Sequence, residues 1–161
     1  MSEEKVKDKN EEQEIWSGSP SQWLNFPKFV ICVPLPIIII IASDNFIGGL
    51  VTSLAPLLYM GWHYLVVMMW KIKITNERII ETKGVINLKT DELQIYRVKD
   101  LNLEQPIYLR LVGLSNINLV SSDKSDPNIL IPTVPNGDEL REEISRAVET
   151  MRRRKGVREF D

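Results

Sequence analysis

Few residues in this chain have the type and spacing to do chemistry, and they fall into three groups. His63 is the only histidine of the 161 residues, and it stands inside a long apolar run. An ionisable side chain in such a run points to a proton relay or a ligand contact. No Asp, Glu or second His accompanies it in either apolar run, and a hydrogen bond between neighbouring helices is the alternative role. Cys32 is the only cysteine, which excludes an intramolecular disulfide and a cysteine-built metal site. It reads as a small residue facing lipid or a neighbouring helix.

The second group is cationic. Arg97 and Lys99 flank Val98 in "QIYRVKDLNLEQP", and Arg152, Arg153, Arg154 and Lys155 form the densest basic run. Either set could meet anionic headgroups, at about 1 kcal/mol per cation near a membrane surface. The basic run could equally be the charged C-terminal turn of a helix. Leu93, Ile95, Leu101 and Leu103 share their parity with Arg97 and Lys99, so one straight strand would bury both cations. A turn or bulge near Tyr96–Asp100 resolves the conflict by swinging the cations outward while Val98 packs inward.

The third group is acidic and weak. Asp91-Glu92 falls in a turn, and Glu142-Glu143 falls on a helix, where neighbours point about 100° apart. Both read as solvated surface. Beyond residue 70 there is no His and no Cys, and no glycine-rich phosphate loop, so the chain reads as no enzyme, with no cofactor and no metal. Residues 71–161 hold 16 Lys/Arg against 15 Asp/Glu, which gives no basic field for nucleic acid.

The elements that carry these residues divide the chain. Residues 1–14 are charged at nine positions and read as a disordered tail. Residues 15–70 read as an interfacial segment and a transmembrane hairpin, with spans at 26–42 and 46–70 and "SDN" as the turn between them. From Phe26 to Trp70 the only charges are Lys28 and Asp44. Pro27, Pro34 and Pro36 should distort the first span. A cleavable signal peptide fits it poorly, because a polar stretch precedes it and no small-x-small site follows. Trp16 and Trp23 before the hairpin, and Trp62, Tyr64 and Trp70 near its end, read as aromatic belts at headgroup depth. Lysine and arginine flank both ends and are absent from the turn, which predicts a multi-pass protein of the cytoplasmic membrane with both termini in the cytoplasm. Gly48, Gly49 and Gly61 would allow close helix approach.

Residues 71–161 change texture. "KIKIT", "RIIETKG", "VINLKTDEL" (through Val85, Ile86 and Leu88), "LNLEQPIYLR", "GLSNINLVSS" and "NILIPTV" read as short strands of an antiparallel barrel or sandwich. A helix follows over about 138–153, capped by Asn136 or Asp138. Leu140, Ile144, Val148 and Met151 form one apolar stripe, and Glu142–Arg146 and Glu149–Arg153 pair on the wet side.

This order resembles the bacterial membrane-anchored pleckstrin-homology (PH) domain family. The residues that carry the resemblance are "EIWSGSPSQW" before the first apolar run, "KIKITNERIIETKGVI" after the second, the stretch from Tyr96 to Val134, and "LREEISRAVETMRRRKGVREFD". Ser115 departs from the pattern, where a second glycine is expected. The resemblance implies an α+β fold: a two-helix transmembrane hairpin followed by a PH-like antiparallel β-barrel, capped by a C-terminal amphipathic helix, on the cytoplasmic face. It implies a non-catalytic module for protein interaction or assembly, with membrane lipids and a membrane protein or second copy as partners. The first hairpin, "TNERI", lacks a basic phosphoinositide loop, so no binding residues carry over. An anionic-headgroup sensor using the six cations is the alternative, and an accessory subunit of a transport or enzyme complex, working through His63, is the third.

Overall fold

In the computed structural model the described residues are 12–123 and 127–156. Most of the expected tail, residues 1–11, lies outside them. The boundary at residue 14 is corrected, because Glu14–Gly18 is a strand, β1. Glu12 forks onto Arg78 at 2.9 and 3.1 Å, and the Gln13 amide donates to Asn76 Oδ1, so the residues just before β1 are also tied to the β2–β3 turn.

After β1 comes a 3₁₀ turn (Gln22–Asn25), then three apolar helices: α1 (Phe26–Cys32), α2 (Leu35–Ala42) and α3 (Phe46–Met69). α1 and α2 divide at Val33-Pro34, as the prolines require: Pro34 and Pro36 have no N–H to donate one turn back. Helical bonding persists on either side, from Val33 N–H to Phe29 O and from Ile38 N–H to Pro34 O. α3 runs unbroken through Pro56. α2 and α3 lie against each other, and a Cβ on Gly49 would stand 2.9 Å from Ser43 Cβ and 3.2 Å from the Ile40 backbone. Gly49 is therefore what lets the two helices close, whereas Gly61 faces open space.

The strands follow: β2 (Lys71–Thr75), β3 (Arg78–Lys83), β4 (Lys89–Gln94), a 3₁₀ turn (Ile95–Arg97), β5 (Val98–Glu104), the one-turn helix α4 (Ile107–Arg110), β6 (Leu114–Ser121), β7 (Asn128–Pro135) and helix α5 (Gly137–Lys155). They form two antiparallel sheets, β1-β2-β3-β4 and β5-β6-β7. The expected closed barrel does not form. The turn at Ile95–Arg97 stops the ladder between β4 and β5, and among the described residues no strand pairing joins the two sheets.

Two further expectations are corrected. Val85, Ile86 and Leu88 are not a strand. Gly84, at φ +121°, opens a tight turn in which a Cβ would collide with Asn87 O, and β4 begins only at Lys89. In the same way "LNLEQPIYLR" is strand only to Glu104, and Pro106 then starts α4.

Alternation places the core. β6 buries Ser115, Ile117, Leu119 and Ser121 on one face, as a period of two requires. Ile72, Ile74, Ile79, Leu93 and Val98 complete the inter-sheet layer. α5 covers it with Leu140, Ile144, Val148 and Met151, the stripe expected from its sequence. Its entry is close-fitting, since a Cβ on Gly137 would fall on Ser115 Oγ. A serine at 115, in place of the expected glycine, thus uses the room that Gly137 leaves.

Candidate functional site

Strand direction gives the domain two distinct ends. β1 and β2 are hydrogen-bonded neighbours, with Gly18 opposite Ile72, so the apolar helices occupy the place of the turn between them. At that end also lie the β3–β4 turn, since Lys83 is opposite Lys89, and the β5–β6 connection, since Glu104 is opposite Asn116. At the other end lie the turn Ile95–Arg97 and the C-terminus of α5.

The helix end is a junction of specific polar bonds. Ser21 N–H donates to Thr133 Oγ1 at 2.8 Å, and the Thr133 hydroxyl donates back to Ser21 O at 3.3 Å. Thr133, buried and at φ +51°, is held by a second bond from its N–H to Asn116 Oδ1. Asn25, fully buried, donates to His63 O at 3.0 Å, and Gln22 donates to Tyr64 O at 3.2 Å. Where α3 ends, Trp70 Nε1 donates to Glu81 at 2.9 Å, Lys83 pairs with the same carboxylate at 2.9 Å, and the Lys83 ammonium sits 4.3 Å from the Trp70 ring centroid. Both apolar strands of chain are thus tied to the sheets, one through β7 and one through β3.

These contacts change two expectations. His63 does meet the other helical segment, but through its backbone carbonyl. Its ring Nδ1 lies 3.2 Å from Tyr59 O in its own helix, and the two rings stand 4.2 Å apart. Trp16, expected at headgroup depth, lies opposite Ile74 in β1 and packs against the hydrophobic core. Trp23, Trp62 and Tyr64 are exposed at the helix end, with Trp23 and Phe26 in ring contact at 4.8 Å.

All six expected cations lie at the opposite end, in the turn and first residues of β5 or in the last turn of α5. Arg97 pairs with Asp123 at 2.6 Å; hydrogen bonding to Tyr96 and then Asp123 raises its pKa further. Val98 is buried, and the ladder shifts register between Val98 and Asp100, which is the break that the parity conflict required. That break leaves carbonyls without ladder partners. Arg152 supplies them, donating to Val98 O at 2.7 Å and Tyr96 O at 3.4 Å. Lys155 lies 5.7 Å from the Tyr96 ring centroid, and Arg153 pairs with Glu149 at 3.6 Å. Lys99 and Arg154 are exposed.

Between β5 and α5 runs a groove of about 360 Å³, lined by four consecutive residues, Val98 to Leu101, and by the α5 face of Arg141, Ser145 and Arg152. β5 is the outer strand of its sheet, and consecutive lining residues mean that the groove follows its unpaired edge. Sequence reasoning missed this groove and the Ser21–Thr133 and Trp70–Glu81 junctions. Each joins residues far apart in the chain, and no local pattern marks them. Among the described residues no group of three or more His, Cys, Asp or Glu is placed to hold a metal.

Two solved structures are similar over about half of the chain. A DUF1696-family protein with a pleckstrin-homology domain from Shewanella loihica has 14% identity and TM-score 0.42, over 51% of this chain and 73% of that one. The Vps36 N-terminal PH domain has 19% identity and TM-score 0.39, over 54% and 67%. No curated protein sequence matches. The family described as "Bacterial PH domain" matches residues 30–148, a span from the first apolar helix to the middle of α5, and the chain belongs to that bacterial PH domain family.

Proposed function

We propose that this protein is a non-catalytic, membrane-anchored interaction module, whose apolar hairpin crosses the cytoplasmic membrane and whose PH-like domain displays its far end to a partner protein. One observation carries the reading: two lipid-length apolar helices, almost wholly exposed, replace the turn between paired strands β1 and β2. Neighbouring strands start and finish on one side of a bilayer, so a hairpin spliced between them must cross an even number of times. The polar bond from Asn25 to His63 O lies about 27 Å from the hairpin turn at 1.5 Å per residue, close to the roughly 30 Å of a hydrocarbon core. Trp23, Trp62 and Tyr64 cluster at that depth, as interfacial aromatics do.

The β5–α5 groove is the surface best suited to a partner, because an extended segment can lie along the outer edge of β5, past the Val98 carbonyl that Arg152 takes, while its side chains meet α5. The headgroup-sensor reading is weaker on geometry. Its six cations stand at the far end of the strands, roughly 20 Å from the helix junction at 3.3 Å per residue, beyond a Debye length.

In a Cys32→Ser background, Ser43→Cys should react with a membrane-impermeant maleimide from outside, and Lys99→Cys only after permeabilisation. Protection of position 43 in intact cells would contradict the topology. For the groove, Ser145→Arg should remove the protein that co-purifies with wild type in mild detergent, and retention of that protein would move the site elsewhere.

A further inference from the structure

Two apolar loop tips at the helix end have no role in the fold. Ile86 and Leu88 in the β3–β4 turn are 87% and 63% exposed, and Ile107 and Leu111 at the two ends of α4 are 81% and 83% exposed. A soluble domain leaves single aliphatics exposed without consequence, but these four are gathered at one end, on two loops. Neither loop is loosely placed. Gly84 holds the first in a tight turn, and fully buried Leu109 pins the second.

Their position relative to the apolar helices follows from two ring contacts. Tyr108 in α4 stacks on Phe26, the first residue of α1, with centroids 6.2 Å apart. Phe26 adjoins Asn25, which marks the level where the helices leave the sheets. On the other side, the Lys83 ammonium over the Trp70 ring puts the start of the β3–β4 turn beside the end of α3. Trp70 lies about 10 Å beyond His63 along the helix, at 1.5 Å per residue. Ile86 lies two residues past Gly84 in the same tight turn, which keeps it within about 7 Å of Gly84. α4 therefore stands at the level of Phe26, and the β3–β4 turn starts beside Trp70 at the end of α3.

We infer that Ile86, Leu88, Ile107 and Leu111 insert into the headgroup–acyl boundary of the bilayer that the hairpin crosses, so that the domain rests on the membrane at four points rather than hanging from two helices. The occupant is lipid rather than protein because the same end already carries the exposed interfacial aromatics and the lipid-length helices. Arg110, exposed beside the second tip, suits the phosphate layer, with its stem along apolar surface and its charge in water. The inference rests on the hairpin crossing a bilayer.

The test uses the full chain in lipid nanodiscs, in a Cys32→Ser background, with an environment-sensitive NBD label on single cysteines. Positions 86 and 111 report the tips (Ile86→Cys and Leu111→Cys), Leu58→Cys reports the helix and Lys99→Cys reports the far end. All four sites are exposed, so labelling does not compete with folding. The expected result is blue-shifted emission at 86, 111 and 58, with 86 and 111 quenched most by a nitroxide placed shallow on the acyl chain, and water-like emission at 99. Water-like emission at 86 and 111 with a lipid-like signal at 58 would overturn the insertion and leave the hairpin standing. Water-like emission at 58 as well would remove both. A shift at 86 and 111 that appears only when a partner protein is added would make the tips a protein contact and overturn the inference.

Discussion

The two ends of the PH-like domain solve the same problem by different means. Each is a place where regular pairing stops and backbone groups need new partners. At the helix end most partners are neutral: Ser21 and Thr133 exchange bonds and Asn25 serves His63 O, while Trp70 donates to the Glu81 carboxylate that Lys83 balances. At the far end they are cationic, with Arg152 serving the carbonyls of Tyr96 and Val98, and Arg97 serving Asp123. An unpaired charge costs most where water is scarce, and the buried carboxylate at the helix end is paired with Lys83, while a solvated end can use guanidinium at small expense. A basic run can thus be structural, and its sign alone says little about lipid.

The largest expected effect breaks both ends together. Ile144 is completely buried in the middle of α5, and Ile144→Ala should destabilise the domain by about 2–5 kcal/mol. Hydrogen exchange should then rise at both ends alike; a rise confined to one end would show that α5 does not couple them. Next comes Arg152→Met, which keeps the apolar stem and leaves two carbonyls without their donor. About 1–3 kcal/mol is expected, with faster exchange at residues 95–99 and none at 21–25. Asn25→Leu is the mirror test at the helix end. It should cost about 0.5–1.5 kcal/mol, loosen residues 21–25 and leave 95–99 unchanged.

The smallest effect is a pH response in β1. The Thr75 hydroxyl, and after it the Arg78 guanidinium, hold the Glu12 carboxyl below the usual carboxylate range. A lowered folded pKa means that the contribution is full above the ordinary carboxylate value and fades as pH falls through the lower folded one. Exchange at the start of β1 should therefore rise only in acid, and Glu12→Gln should abolish that dependence. High salt should shrink it, since the pair is exposed.

How much of this was legible depended on the range of the contacts. The two apolar runs, the α5 stripe and the break at Tyr96–Asp100 were readable, because each follows from a period within a dozen residues. β1 was not, since "EIWSG" finds its partner only after the whole helical hairpin. Ile86 and Leu88 misled for the opposite reason. Their alternation suits a strand, but Gly84 forces a turn, and the paired strand that follows is the polar "KTDELQ". The cations were readable as a cluster but not as a place, because which end of the domain they occupy depends on strand direction.

The splice between β1 and β2 also orders assembly in time. β1 is made first, yet its partner β2 emerges only after both helices, so it is placed late. A free chain of that length would have to lose much conformational freedom to bring its ends together. Helices already packed against each other hold those ends about 8–10 Å apart, against the roughly 4.8 Å between neighbouring strands. What is left to close is a few ångströms, and the short turn Gln22–Asn25 spans it while α3 passes straight into β2. On the proposed topology, membrane insertion would thus be a folding step of the PH-like domain, with the bilayer doing the work that a two-residue turn does in an ordinary hairpin.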